Sequence, residues 1–408
     1  MHYRFANLNG ISVACLMDNM LILFAIRNQM SDPLVVIMAS FIYLAMPFMF
    51  VGKRLASRIG VARTWAVGWY YRYLLACLMI VAPFLHPIAP AWVVSSLILV
   101  GAFGFAFFRT IGLVAQKPLT GEITVANDRG RFLAGVSRRV NTGHLITAIL
   151  IIVWLRYSDG LWVYQSIFAI GCAAGLYTST IIARMPESCA PRLSARRPLA
   201  TTFRMLLADP ASRHLLLAWS AGFAAFSLVL PMMVVTIKNG YAMSDYAAFF
   251  YSLLFMLGAI GVTLINGAIA DRVDARLMLQ VYQGLLILAA LYWAFAPNQF
   301  NAIAGTAAFV LAGGGKAGII LSLNHYFLDA IDRNHRVGSA LVVQMLAGGV
   351  AGLAGAGFGG GLLQWLSNMG IEGMDAYRAY FKVALAAMLM MMATTLRVRA
   401  SRPTVPAA

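Results

Sequence analysis

Twelve apolar segments, each long enough to cross a bilayer, follow one another along this chain of 408 residues with short loops between most of them. A spanning helix takes roughly 20 mostly apolar residues. The stretches at about 7–29, 33–52, 64–83, 91–115, 134–155, 161–184, 213–236, 247–269, 277–296, 300–324, 338–363 and 379–396 all meet that requirement. Hydrophobic residues make up 61% of the chain and charged ones 11%, more apolar surface than a soluble fold of this size can hide. The segments do not alternate apolar and polar as barrel strands do. Backbone groups in hydrocarbon must pair within their own segment, so the expected fold class is an all-α membrane protein with twelve transmembrane helices.

Lys and Arg set the orientation. With the N-terminus in the cytoplasm, cytoplasmic segments hold 23 of the 31 basic residues. Outer loops and adjoining helix ends hold Arg27, Arg156, Lys238, Arg378 and Lys382, and Arg72, Arg109 and Lys316 lie inside helices. Both termini are therefore expected in the cytoplasm of a plasma or inner membrane. The net charge of +17 is a topology signal and an attraction to anionic lipid heads; it needs no nucleic acid. The first apolar segment is too long for a signal-peptide core and lacks a small-residue cleavage site after it. Cys15, Cys77, Cys172 and Cys189 form neither a metal pattern nor a disulfide framework, and no cofactor is expected.

The longest hydrophilic stretch sits at mid-chain, from Pro186, and is rich in Arg, Pro and Ser. It divides the chain into a six-helix bundle at 1–185, a cytoplasmic linker at 186–212 and a second six-helix bundle at 213–408. Within the linker, Thr201–Leu207 reads as a short amphipathic helix. Internal symmetry supports the division. Ala56-Ser57-Arg58 in the stretch Gly52–Arg63 matches Ala270-Asp271-Arg272 in Gly267–Arg276, and Asp128-Arg129 matches Asp332-Arg333. Repeated halves with a site between them are common in secondary transporters.

These stretches resemble the Gly-x-x-x-Asp-Arg-x-Gly-Arg-Lys signature of the major facilitator superfamily, and Asp128-Arg-Gly-Arg131 resembles its helix 4–5 loop. The resemblance implies two pseudo-symmetric six-helix bundles and alternating access. It makes Gly52, Arg58, Gly60, Gly267, Asp271 and Arg272 candidate gating-loop residues. This chain departs from the signature at Ser57, where an acid is expected; Glu122 or Asp128 could take over its role.

Charges inside a membrane cost about 2.5–3.5 kcal/mol each on insertion scales, so they point to function. Asp18 lies midway along helix 1 beside Asn19, at the edge of a face carrying Ser12, Cys15 and Asn19. It reads as a proton-coupling or substrate-contact group; the bland reading is a structural partner for a nearby Arg. Arg109 continues a small-and-polar stripe on helix 4 (Ser95, Ala102, Ala106, Gly112, Gln116), as an anion ligand or a charge that snorkels to the surface. Lys316 follows Gly313-Gly314-Gly315, which permit close helix approach or local unwinding around a ligand. Arg72 sits in the aromatic run Trp69–Tyr73, where packing against rings is the favoured reading. Asn141 and His144 share a face of helix 5 with Ser137, and a hydrogen-bonded packing role outweighs titration. Gln344 opens a stripe with Gly348, Gly352, Gly355 and Gly359 that reads as a sliding surface between bundles. Pro231 predicts a kink in helix 7.

Metal spacing, a nucleophile elbow and a dinucleotide fingerprint are all missing from the sequence, so no enzyme is expected. The reading is a monomeric secondary transporter of a small organic solute, coupled to protons. Three intramembrane cations against one acid favour an anionic or zwitterionic substrate. The alternatives are a drug-type proton antiporter and, more distantly, a polytopic membrane enzyme or a non-transporting sensor.

Overall fold

The computed structural model describes residues 2–16, 19–123, 129–158, 160–187, 198–269, 273–331 and 336–395. They are helical almost throughout, with no strand among them. Twelve helices are long and apolar enough to cross a membrane. They are α1 (Arg4–Arg27), α2 (Asp32–Ile59), α3 (Val61–Leu85), α4 (Ala91–Ala115), α5 (Arg138–Tyr157), α6 (Leu161–Ala183), α7 (Pro210–Gly240), α8 (Asp245–Asn266), α9 (Ala275–Ala294), α10 (Ala302–Phe327), α11 (Gly338–Asn368) and α12 (Gly373–Ala393). The chain is an integral, multi-pass membrane protein.

Several ends differ from expectation. The helix of α4 continues to Ile123, and that of α5 starts at Arg129, so both project beyond their apolar spans. The last helix starts at Gly373, six positions before the expected 379, because Asp375 and Arg378 form an i,i+3 ion pair in its first turn. The helix of α7 runs unbroken through Pro231 to Val235; irregular backbone follows as a π turn at Thr236–Gly240. The expected amphipathic segment is the helix Leu199–Ala208, which buries Leu206 and packs on α7 and α11.

The chain divides into two compact units, residues 1–197 with 245–249, and residues 198–244 with 250–408. Within the first unit α3 packs on α4 and α6, and α1 packs on α5 and α6. Within the second, six helices later, α9 packs on α10 and α12, and α7 packs on α11 and α12. The same partners recur because the same contact chemistry recurs. Gly52 of α2 lets the helix approach Ile111 of α4, whose carbonyl oxygen would lie 2.5 Å from an added Cβ. Gly258 of α8 meets the Val310 backbone of α10 in the same way. In lipid such close backbone contact replaces the hydrophobic drive that holds soluble helices together.

The resemblance placed Gly52, Arg58 and Gly60 in a gating loop. Met49–Ile59 is helical, so Gly52 and Arg58 lie on a helix and the turn contracts to Gly60. Gly60 takes φ +97°, open to glycine without strain, and it lets α3 start one residue later. Gly267 is likewise helical, within Asp245–Ile269. Asp271, Arg272 and Asp128 lie outside the described residues, as do the side chains of Gln116, Glu122 and Ser137.

Candidate transport site

The first unit builds its interior around Arg72. Helix α3 has two faces: Trp65, Trp69, Arg72, Tyr73 and Ala76 are buried, while Tyr70, Tyr71 and Leu74 are exposed. Two glycines let neighbouring helices close on the buried face. Gly68 faces Gly112 of α4, and Gly175 of α6 accepts the ring of Tyr73. Arg72 is therefore only 1% exposed. Its guanidinium carbon lies 4.1 Å from the centroid of Phe105, 4.9 Å from Tyr73 and 5.0 Å from Trp69. Ring faces each stabilise a desolvated cation by about 2 kcal/mol or more. They accept no conventional hydrogen bond, and Nε and Nη2 of Arg72 have none. Ser12 Oγ, Tyr73 Oη and Thr110 Oγ1 are also buried without a hydrogen-bond partner. Unsatisfied buried polar atoms are uncommon, and each calls for an explanation.

Arg109 stands one turn after Phe105 on α4, near enough to Arg72 for the two charges to oppose each other. It lines a crevice of about 30 Å³ with Ala102 and Ala106 of its own helix and with residues of α1 and α2. The stripe read from the sequence is thus split in two. Ala102, Ala106 and Arg109 face the crevice, whereas Gly112 packs against the Trp69 ring.

Around this centre, α1 brings Cys15 against Gly171 of α6. Cys172, the next residue, lies within electrostatic reach of Arg72. Asn9, which sequence reasoning did not single out, accepts a 3.4 Å hydrogen bond from Trp69 Nε1. Asn19 is half-buried and Asn141 exposed. His144 is half-buried where α5 crosses α1; a Cβ on Gly10 would lie 3.0 Å from its backbone nitrogen. Asp18 lies outside the described residues.

In the second unit Lys316 is half-buried, with Nζ 5.6 Å from the centroid of the Phe255 ring. The preceding glycines act by close approach and not by unwinding, since the helix is continuous from Ala302 to Ala330. Gly313 sits on the Phe255 backbone of α8, and Gly315 on the Tyr282 and Leu286 backbone of α9. Gln344 is half-buried on α11. The glycine stripe after it runs into a π-helical stretch, Leu353–Gly360, which resets the expected face. Gly359 packs there on Tyr380 and Leu228, so that end of the stripe serves packing within its own unit.

Two polar clusters at helix ends escaped sequence reasoning. Glu187, just after α6, accepts from the Val61 and Ala62 backbone N–H groups at 2.9 and 2.5 Å and so caps α3. The signal available was a lone acid in a basic stretch. Arg378 donates to the Ala296 carbonyl (2.8 Å), Asn298 (2.5 Å) and Asp375 (3.0 Å), tying the start of α12 to the α9–α10 loop.

Paired six-helix units with charges held inside apolar helices define a membrane transporter and not an enzyme. A profile of the Major Facilitator Superfamily matches residues 119–356. The chain belongs to that superfamily, and its function is secondary transport of a small-molecule substrate. No curated protein matches the sequence. Among solved structures it is similar to a point mutant of the nucleoside transporter NupG, with TM-score 0.74 and 9% identity over 97% of this chain and 98% of that one. It is also similar to a D-xylose-proton symporter (TM-score 0.67, 14% identity, 96% and 95% covered). A third is a POT family transporter in complex with 5-aminolevulinic acid (TM-score 0.65, 13% identity, 97% and 96% covered). At such identities the likeness shows the fold alone.

Proposed function

We propose that this protein is a proton-coupled transporter of a small organic anion or zwitterion, with both termini cytoplasmic in a plasma or inner membrane. The observation that carries the reading is the buried guanidinium of Arg72, ringed by aromatics and holding two N–H-bearing nitrogens without an acceptor. A carboxylate is the natural complement of such a fork. Arg109 in the same unit and Lys316 in the other add cationic side chains inside membrane helices. Asp18 supplies the proton. In the sequence Asp18 lies midway along the first apolar segment. A carboxyl within an apolar spanning segment is a candidate proton carrier. Protonation of a carboxylate removes a rival anion from a cationic site, so uptake of the proton and uptake of an anionic solute go together. The proton symport named for one similar structure and the 5-aminolevulinic acid bound in another are compatible with this chemistry.

The test is uptake into proteoliposomes from a panel of organic acids, nucleosides, sugars and lipophilic cations, with and without a pH gradient. Accumulation of an acid driven by the gradient is expected. Asp18→Asn should abolish uphill accumulation and spare exchange, while Lys316→Gln weakens binding about 5- to 30-fold, the scale of a lost charge-assisted hydrogen bond. Gradient-driven accumulation at the wild-type level in Asp18→Asn would remove Asp18 from the mechanism. A substrate that proves cationic would restore the drug-antiporter reading.

A further inference from the structure

Helix α2 is not a smooth rod. Its first stretch, Asp32–Ala39, ends at Ser40, whose hydroxyl donates back to the Val36 carbonyl at 2.9 Å. A single turn, Phe41–Leu44, and a 3-10 turn, Met46–Phe48, follow before the helix resumes at Met49. Such bonding by a mid-helix serine bends helices, and Pro47 withholds an N–H in the same region. Phe41 sits at this break, half-buried, edge-on to Phe103 of α4 at 5.4 Å.

Phe41 is a shared wall. On one side lies the crevice that contains Arg109. On the other lies an open groove of about 530 Å³ between α2, α3 and α4, with an entirely hydrophobic lining that includes Leu75, Val100, Phe103 and Phe107. The two surfaces alternate along α4: Phe103 and Phe107 belong to the groove, Phe105 and Arg109 to the crevice. The groove follows α4 from Leu99 to Phe108, about 14 Å of helix rise. That is the reach of a medium-length acyl chain. Gly104 keeps it open, since a side chain there would fill the space in front of Leu75.

In a bilayer, apolar lining alone selects nothing, because lipid tails are as apolar as the phenylalanines. Selection must come from the polar end of the occupant, and the group beyond the Phe41 wall is a guanidinium. We infer that the transported solute is a single-chain anionic amphiphile, its chain lying in the α2–α4 groove and its carboxylate or phosphate head reaching Arg109 when Phe41 swings aside. This rests on the anion transport proposed above and names the substrate class.

The probes are dodecanoic acid and dodecyl phosphate, each carrying a photoreactive diazirine on the chain, added to the purified protein in neutral-lipid nanodiscs. Crosslinked peptides are identified by mass spectrometry. Label is expected on the peptides bearing Phe41 and Phe103. Excess unlabelled dodecanoate or dodecyl phosphate should displace it, and dodecyltrimethylammonium or acetate should not. Arg109→Gln and the groove-filling Val100→Trp should each reduce it at least about fivefold in monodisperse protein. Labelling by the carboxylate probe alone identifies a fatty-acid class of substrate, and by the phosphate probe alone an alkyl phosphate class. Displacement by the cationic amphiphile, or label unmoved by both variants, marks ordinary boundary lipid and overturns the inference. Wild-type proteoliposomes that accumulate short organic acids in the absence of site-specific label leave the transporter reading standing and remove only the amphiphile. Label without accumulation of any acid removes the anion-transport reading and overturns the inference that the amphiphile is transported.

Discussion

The two six-helix units share a packing plan and differ in what they bury. In the first, the α3–α4–α6 contact surrounds the Arg72 guanidinium, and Ser12, Tyr73 and Thr110 of the same unit hold buried hydroxyls without a hydrogen-bond partner. In the second, the equivalent α9–α10–α12 contact closes on Trp293, fully buried between Phe309 and Phe381. The second unit keeps its best-bonded cation, Arg378, at a helix end, where backbone carbonyls and Asp375 satisfy it. Duplicated packing needs only small residues at matching crossings, so each half was free to diverge in chemistry. The proposed site draws on the charged interior of the first unit, where Arg72 is enclosed by rings.

The sharpest way to break this contrast is to make the first unit like the second. Arg72→Met keeps the length and removes the charge. Transport should fall by at least about tenfold, the loss expected when a buried charge-assisted contact disappears. Thermal stability in detergent should hold or rise, because replacing a buried charge with an apolar side chain is often neutral or stabilising by about 1–4 kcal/mol. A variant that unfolds while its surviving fraction transports normally would make Arg72 a packing residue, as its aromatic setting first suggested.

The shared plan can be tested at its glycines. Gly52→Ala would push a methyl to 2.5 Å from the Ile111 carbonyl, and Gly258→Ala would drive one into that of Val310. Each should lower stability by about 1–3 kcal/mol, the usual cost of overpacking. Paired melting curves measure the equivalence, and a loss confined to one variant would show that the crossings are not counterparts.

The smallest effect concerns the entry to the second unit. Asp209 caps α7, accepting from Ser212 N at 2.9 Å and Ser212 Oγ at 2.7 Å. These bonds, the hydroxyl first, hold its carboxyl below the usual 3.8. A depressed carboxyl stabilises the fold when ionised, so its contribution is complete above the unfolded value and fades as pH falls through the lowered one. Asp209→Ala should cost about 1 kcal/mol at neutral pH. The gap between variant and wild type should close only below about pH 4. A gap unchanged down to acid pH would mean that the cap acts without its charge.

Much of this was legible in the chain itself. Twelve spans, helical class and a doubled design follow from apolar length, since hydrocarbon leaves an unpaired backbone no alternative. Membrane charges advertise themselves for the same reason, and Arg72, Arg109 and Lys316 stood out before any coordinates. What stayed hidden depends on facing, which one-dimensional spacing cannot supply. The end of α2 contains residues of a loop signature yet is helical to Ile59, and Glu187, 126 positions on from Val61, caps the next helix. The aromatic run Trp69–Tyr73 announced ring packing for Arg72, but Phe105 of α4, its nearest ring, and Gly175 of α6, which admits the Tyr73 ring, come only with the packing. Phe41 is one aromatic among 24 phenylalanines until a break in α2 sets it between a groove and a guanidinium. Composition and span length determined the solvent, the class of fold and the inventory of charges, because transfer energies sum along a chain. Only the packing of helices against one another decided which charges are enclosed and what encloses them.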